Sequence, residues 1–284
     1  TDNVIEQIYP HRLREMIVRY FTALPDEVAG CPRDALLEKL HRSLGTLTTD
    51  EKLSLLVDMS DDHGEMVMVE DTMHESFFFY KNGFVTVTKD AVTLRAYKSL
   101  PGFIWHDQII QRDFKALTHQ EIEAGVYWKF ANNVSENWAR PDGQPNNPLR
   151  FSSFLTITGY NLHRFFATKL RATIFLDGRI SDDPDGRSGK SLHCKAMQMI
   201  LNANPNGKQA ITIDGKKYDS QNRFNLDELH VSTRLVIFDD IKRGFQIEEF
   251  FNAIVDGLVR ERKGDMNKVR ILSKIIFTLN YTLQ

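Results

Sequence analysis

Cysteine is scarce in this chain: its 284 residues hold two, Cys31 and Cys194, far apart and neither in a CxxC. That excludes a zinc ribbon or a disulfide framework and suits a reducing cytoplasm. No apolar run approaches the roughly 20 residues that a membrane-spanning helix needs, and no signal-peptide pattern opens the chain. Cationic excess is missing too. Lys and Arg number 36 against 38 Asp and Glu, a net charge of −2, so any nucleic-acid binding has to use a local patch. His63, His74 and His106 have acidic neighbours but no metal-ligand spacing, and read as surface or satisfied core histidines. An initiating Met is absent, and the chain stops at Gln284 just after an apolar run; both features suggest an excerpt. The apolar fraction is ordinary at 42%. It predicts a globular chain of one large domain or two.

The stretch from Thr173 to Ala196 organises the rest. TIFL reads as a short buried strand, a loop rich in Gly, Asp and Ser follows, and LHCKA can be helical. Gly189-Lys190-Ser191 stands at the junction of loop and helix, the layout of a phosphate-binding loop. Gly186 and Gly189 let the backbone turn its N–H groups onto an anion, and the helix adds the positive end of its dipole. Asp185, Gly186, Arg187, Ser188, Gly189, Lys190 and Ser191 are the candidate nucleotide-binding residues. Lys190 would reach the β- and γ-phosphates, and the Ser191 hydroxyl would ligate Mg²⁺. The pattern G-x-x-x-x-G-K-[ST] departs at its first position, where Pro184 offers no N–H and a fixed φ. On the tripeptide alone, a chance Gly-Lys-Ser in a polar loop is an equal reading.

Residues 4–59 predict helices. Ile5, Ile8, Leu13, Ile17, Tyr20 and Phe21 recur at roughly helical spacing, a second stretch covers 33–43, and Thr48-Thr49-Asp50 caps a third over 51–59. Arg12, Arg14 and Arg19 read more simply as a solvated face than as phosphate contacts. Residues 76–97 predict a three-stranded meander turning at Asn82-Gly83, where both residues accept φ > 0. Phe77, Phe78 and Phe79 read as strand core rather than a base-stacking platform. Trp105 is expected to anchor the segment 100–114. A helix over 119–138, a Pro/Gly/Asn-rich loop at 139–148 and a helix over 150–170 lead into the opening strand.

Further motifs follow in order. After a helix over 190–201 and a strand in QAITIDGKKY, the run 234–238 ends in Asp239-Asp240. A carboxylate at the end of a buried strand can hold Mg²⁺, and a second beside it can orient a water. A helix over 246–257 precedes a hairpin, 258–272, carrying Arg260, Arg262, Lys263, Lys268 and Arg270. That is the local basic patch the net charge conceals, suited to gripping phosphates of a single strand. Standing alone it would be a solvated charged hairpin. Lastly KIIFTLN (274–280) is a β-rich run ending in Asn280, an amide that can hydrogen-bond a γ-phosphate or an attacking water.

PDGRSGKS, LVIFDDI, RERKGDMNKVRI and KIIFTLNYT come in the order of a superfamily 3 helicase of the AAA+ class. More narrowly the chain resembles primase-helicases of phages and bacterial mobile elements, well from about Phe77 onward and poorly before it. The KNGFVTVT meander, PGFIWHDQIIQRDF and DGRISDDPDGRSGKS look like that family too. The resemblance implies a Walker A loop in Gly189, Lys190 and Ser191, Walker B in Asp239 and Asp240, and sensor 1 in Asn280. It also puts Lys263 and Lys268 on the hairpin that enters the ring channel. The expected fold is α/β: a helical N-terminal region with a small antiparallel β-meander (1–148), then a parallel-sheet ATPase core (149–284). The expected activity is ATP-dependent DNA unwinding or translocation in replication, in the cytoplasm of a bacterial host. Its implied cofactors are ATP and Mg²⁺, and its partners single-stranded or forked DNA and a primase domain in the same polypeptide. Six copies would form a ring in the full-length protein, with no membrane involved. The arginine finger and the primase catalytic domain of such proteins are not found in the chain. The excerpt is therefore expected to be a monomer with weak or no turnover by itself. A rival is a catalytically degenerate module serving as a DNA-binding or oligomerisation scaffold for a primase-polymerase. A small-molecule kinase is weaker, because it leaves the basic hairpin and Asn280 without a role.

Overall fold

The computed structural model describes residues 3–6, 8, 10–49, 67–136, 146–166, 171–177, 188–202, 207–222, 224–261 and 268–281. Contacts divide the chain into two compact units, Val4–Met68 and Thr1–Asn3 with Val69–Gln284. The division thus falls near 68, whereas the sequence reading put a boundary at 148.

The smaller unit holds β1 (Val4–Ile5), α1 (Pro10–Thr22), β2 (Glu27–Val28), β3 (Cys31–Pro32) and α2 (Arg33–Leu47). Strands β2 and β3 pair antiparallel around Ala29 (φ 49°) and Gly30 (φ 79°). Two successive left-handed residues are what a tight hairpin demands. Arg14 Nε donates to Thr48 Oγ1 at 2.9 Å, tying α1 to the end of α2. The helix expected over 51–59 lies outside the described residues.

The larger unit begins with β4 (Ser76–Tyr80), β5 (Gly83–Val87), β6 (Val92–Arg95), β7 (Ile104–Trp105) and β8 (Ile109–Ile110). The expected meander is there, and β8 adds a fourth strand parallel to β4, giving the order β6-β5-β4-β8. The turn sits one residue earlier than expected. Tyr80 pairs with Gly83, so Lys81 and Asn82 form the loop. Gly83 has φ 146°, and a Cβ there would lie 2.3 Å from the Arg95 carbonyl oxygen, so only glycine fits. Phe77, Phe79, Phe84 and Ile104 are buried, while Trp105 is half-buried; Ile104, not Trp105, is the anchor of its segment.

Helices α3 (His119–Ala124), α4 (Val126–Val134) and α5 (Pro148–Leu162) follow. The single helix expected over 119–138 is broken at Gly125, whose extended backbone (φ −64°, ψ 144°) ends α3. Helix α5 starts under the Asn147 side chain, which accepts from Arg150 N at 3.1 Å, with Pro148 in the first turn. It stops at Leu162, short of the expected 170, because Arg164 N donates to Asp71 Oδ2 (2.6 Å) instead of to a helical carbonyl.

The rest comprises β9 (Thr173–Phe175), α6 (Lys190–Asn202), β10 (Ala210–Asp214), β11 (Leu235–Asp239), α7 (Phe251–Asp256), β12 (Leu258–Arg260), β13 (Val269–Ile271) and β14 (Lys274–Thr278). Four of these strands form an all-parallel sheet in the order β10-β11-β14-β9. The continuous apolar runs of β11 and β14 suit burial on both faces, whereas β9, at the sheet edge, is half-buried with Ile174 exposed, which corrects the expectation of a buried strand there. Residues alternate as the pleat requires. Leu235, Ile237 and Ile276 pack with Cys194, Met197 and Leu201 of α6. Val236, Phe238, Ile275 and Phe277 pack with Leu229, Phe250, Leu258 and Ile271 on the other face. The described residues thus make a mixed α/β fold with a helical N-terminal region, small sheets and one four-stranded parallel sheet. Among them, no helix is long and apolar enough to cross a membrane.

Candidate functional site

In parallel strands the carboxyl ends share one edge of the sheet. Register aligns Asp214 with Asp239, Phe238 with Phe277 and Thr278 with Phe175. Residues just past these pairs therefore meet, although more than a hundred positions separate Phe175 from Asn280. The chain runs from β9 at one edge to β10 at the other, then returns through β11 to β14, inserted beside β9. A crevice beyond the carboxyl ends at such a reversal is where open α/β sheets bind ligands.

Helix α6 begins at this edge. Gly189 has φ 90°, and a Cβ on it would lie 3.0 Å from the Phe130 ring and 3.1 Å from Val134 Cγ1. Both conformation and close approach call for glycine. Lys190 Nζ donates to Asp177 Oδ1 and to Ser188 Oγ, the latter at 3.0 Å. The Lys190 and Asp177 side chains are 11% and 14% exposed, so the pair is largely out of water. Burial pushes the Asp177 carboxyl up, but hydrogen bonds from Lys190 and Ser188 and the Lys190 charge outweigh it and hold it below the ordinary value. Asp177 Oδ2 is buried, with no hydrogen-bond partner among the described residues.

Beside it, Asp239 Oδ1 accepts from Ser191 Oγ at 2.9 Å and from Thr278 Oγ1 at 2.6 Å. The same Thr278 oxygen accepts from Asp240 N at 2.8 Å, so one hydroxyl fixes both acids. Asp240 has φ 56°, a conformation uncommon for a non-glycine residue. Asn280 Nδ2 donates to Asp240 Oδ1 at 3.2 Å, and Lys216 Nζ lies 2.5 Å from Asp240 Oδ2. That hydrogen bond, and then the Asp240 charge, raise the Lys216 pKa.

Thus Ser188, Gly189, Lys190, Ser191, Asp239, Asp240 and Asn280 all stand at one edge of the sheet. Pro184, Asp185, Gly186 and Arg187 lie outside the described residues. Sequence reasoning missed Asp177, Thr278 and Lys216. Thr278 had a legible signal, since it lies two residues before Asn280 in the same strand run. Asp177 directly follows the apolar run TIFL, which also offered a signal. Lys216 follows the Asp214-Gly215 turn and carries no motif.

Strands β12 and β13 form the expected antiparallel hairpin. Its basic residues divide. Arg260 is 5% exposed and its Nη1 donates to the Leu229 carbonyl at 2.8 Å, so it anchors the hairpin inward. Its burial corrects the expectation that it faces a nucleic acid. Lys268 pairs with Glu261 at 2.6 Å, and Arg270 is exposed with Asp256 3.9 Å away. Arg262 and Lys263 lie outside the described residues.

No protein-family model and no curated protein sequence matches this chain. Among the described residues, no group of three or more His, Cys, Asp or Glu side chains is placed to hold a metal ion.

Proposed function

We propose that this chain carries the nucleotide site of a P-loop ATPase of the AAA+ class. In this reading it belongs to a superfamily 3 DNA helicase or translocase acting in replication of a phage or mobile element. The observation that carries the reading is the convergence of Lys190, Ser191, Asp239, Asp240 and Asn280 at the carboxyl edge of one parallel sheet. A chance Gly-Lys-Ser in a polar loop gives no reason for that convergence.

In this reading Lys190 neutralises charge on the β- and γ-phosphates of ATP. The N–H groups of the first turn of α6 face the same anion. Asp240 takes the proton of the attacking water, and Asn280, bonded to Asp240, orients that water. Thr278 keeps the two adjacent acids in fixed relative positions. The donor chemistry fits Mg²⁺: the Ser191 hydroxyl and the Asp239 carboxylate are hard oxygen ligands 2.9 Å apart. They would hold the ion, which supplies charge neutralisation on the phosphates when bound. DNA contact falls to Lys263, Lys268 and Arg270 of the hairpin in a hexameric ring.

Titration of the chain with a fluorescent ATP analogue and Mg²⁺ tests the nucleotide site. Binding is expected, with a loss of at least about tenfold in Lys190→Ala, since a charge-assisted phosphate contact is removed. Equal affinity in the two proteins would sink the assignment.

One observation favours the second reading, a non-hydrolysing scaffold for a primase-polymerase. Both oxygens of Asp240 are engaged, one of them by the Lys216 ammonium. ATP turnover with and without single-stranded DNA separates the two, with stimulation expected of the helicase and none of the scaffold.

A further inference from the structure

The opposite, amino-terminal edge of the parallel sheet carries a second feature. A cavity of about 360 Å³ opens there, lined by Glu70, Arg164, Phe166, Val231, Arg270 and Ile271 of β13, and Leu272 just after it. That volume is within the range of sites that hold a nucleotide-sized ligand. Two of its walls are cationic and come from different places, Arg164 after α5 and Arg270 on β13.

Arg164 is the unusual member. Its backbone N–H is bonded to Asp71 Oδ2, but no hydrogen bond or ion pair engages its guanidinium among the described residues. Arg234, 2% exposed, lies within electrostatic reach and adds a second charge of the same sign. It is partly satisfied by the Leu162 carbonyl at 3.1 Å, while its Nε is buried without a partner among the described residues. Lys274, also 2% exposed, donates to the Phe165 carbonyl at 2.9 Å.

The nearby carboxylates do not take up these cations directly. Asp71 spends Oδ1 on Phe77 N at 2.9 Å and Oδ2 on Arg164 N at 2.6 Å. Asp107 spends Oδ2 on Ser232 and His230. Glu70 stands in the wall itself. Burial, and then the Arg164 charge, bring Arg234 down to about 9, while Asp71 and Tyr80 pull the other way. Asp71, Glu70 and Asp107 act on the Arg164 charge through space, but burial outweighs them, and among the described residues none bonds its guanidinium directly; an anion entering the cleft would supply that direct partner.

We propose that this cleft binds the sugar-phosphate backbone of a single nucleic-acid strand, with Arg164 and Arg270 contacting phosphates and Phe166 facing a sugar or base. The lining decides between a strand and a bare phosphate ion. Phe166, Val231, Ile271 and Leu272 offer apolar surface that a free phosphate cannot use and a nucleotide can. The basic hairpin forms one wall through β13, so a strand lying in the cleft runs along that hairpin's base. Arg164 thereby becomes a nucleic-acid contact that no motif announces. The choice of nucleic acid rests on the helicase reading; the anion site itself does not.

The test is fluorescence anisotropy of a labelled oligothymidylate with the chain, across a salt series. Arg164→Gln is expected to weaken binding by about tenfold and to reduce the slope of log affinity against log salt by about 1. Arg270→Gln is expected to do the same, and Arg164→Lys to restore part of the loss. If Arg164→Gln does not fold, as judged by circular dichroism, Arg164→Lys decides: binding weaker than that of the parent is expected, because the forked guanidinium contact is lost while the charge stays. Unchanged affinity and slope in the folded variants, or no binding by the parent chain, overturn the proposal. So does phosphorus NMR in which inorganic phosphate binds through Arg164 while the oligonucleotide does not; the cleft is then a free-anion site. A parent chain that binds ATP only as well as Lys190→Ala, yet loses oligonucleotide in Arg164→Gln, sinks the ATPase and keeps this cleft.

Discussion

Lys190 and Asp177 illustrate how a single carboxylate would set the terms at the proposed phosphate site. Any anion that draws on Lys190 has to compete with Asp177, and that pair is only partly exposed, so water does not fully screen the competition. Asp177→Asn keeps the shape and removes the charge. It is expected to tighten Mg-nucleotide binding by about tenfold, read by the same fluorescent titration; unchanged or weaker binding would show that the carboxylate is not a competitor. His193 gives a second residue-scale prediction. It lies on the buried face of α6, its Nδ1 is 3.0 Å from the Tyr127 hydroxyl, and its ring packs against Tyr127, Phe154 and Phe175. Burial takes its pKa from 6.5 down to about 4. The unfolded chain therefore binds the extra proton first. Stability is full above about pH 6.5 and falls as pH drops toward 4, by roughly 3 kcal/mol over that window. His193→Phe keeps an aromatic ring there, and its melting temperature is expected to fall less steeply between those pH values; identical slopes would rule the residue out as the cause.

At the scale of elements, the start of α6 depends on one backbone position. Gly189 combines φ 90° with a Cβ direction already filled by Phe130 and Val134 of α4. Alanine there meets both a strained conformation and two side chains. Gly189→Ala is expected to cost about 1–3 kcal/mol of stability, seen in chemical denaturation, and to weaken nucleotide binding in step. A protein of unchanged stability and affinity would mean that α4 yields readily. The basic hairpin is a contrasting element. One of its arginines, Arg260, turns inward to the Leu229 carbonyl, so charge on an element is not the same as charge offered to a ligand.

For the whole molecule, the β-meander and the parallel sheet belong to one compact unit. Buried polar bridges join them. Gln209, 1% exposed, donates through Nε2 to the carbonyls of Gln108 (3.0 Å), Leu201 (2.8 Å) and Asp107 (3.3 Å). Ser232 and His230 bond Asp107 alongside. Gln209→Ala leaves those carbonyls short of a donor and is expected to cost about 1–3 kcal/mol. Because the bridge links both sheets, far-UV circular dichroism and tryptophan fluorescence should shift together in one transition. Separate transitions would mean that the two sheets unfold independently.

The extended apolar runs LVIFD and KIIFT, the helix after Gly189 and the hairpin around 258–272 were legible from local pattern, because periodicity and burial act over a few residues. Asp239, Asp240 and Asn280 were singled out because they end such runs, and Lys190 and Ser191 because they stand where a glycine loop meets a helix. The ends of α3 and α5 were not, since Gly125 and the Arg164–Asp71 bond override a helical pattern that continues past them. Strand order decided what lies near what. Insertion of β14 between β11 and β9 brings Thr278 onto Asp239 and Asn280 onto Asp240, and the long reach of the fold brings Arg164 to Arg270. Local sequence determined which residues end strands; only tertiary packing decided which ends meet, because contacts between distant segments depend on how the sheet is closed.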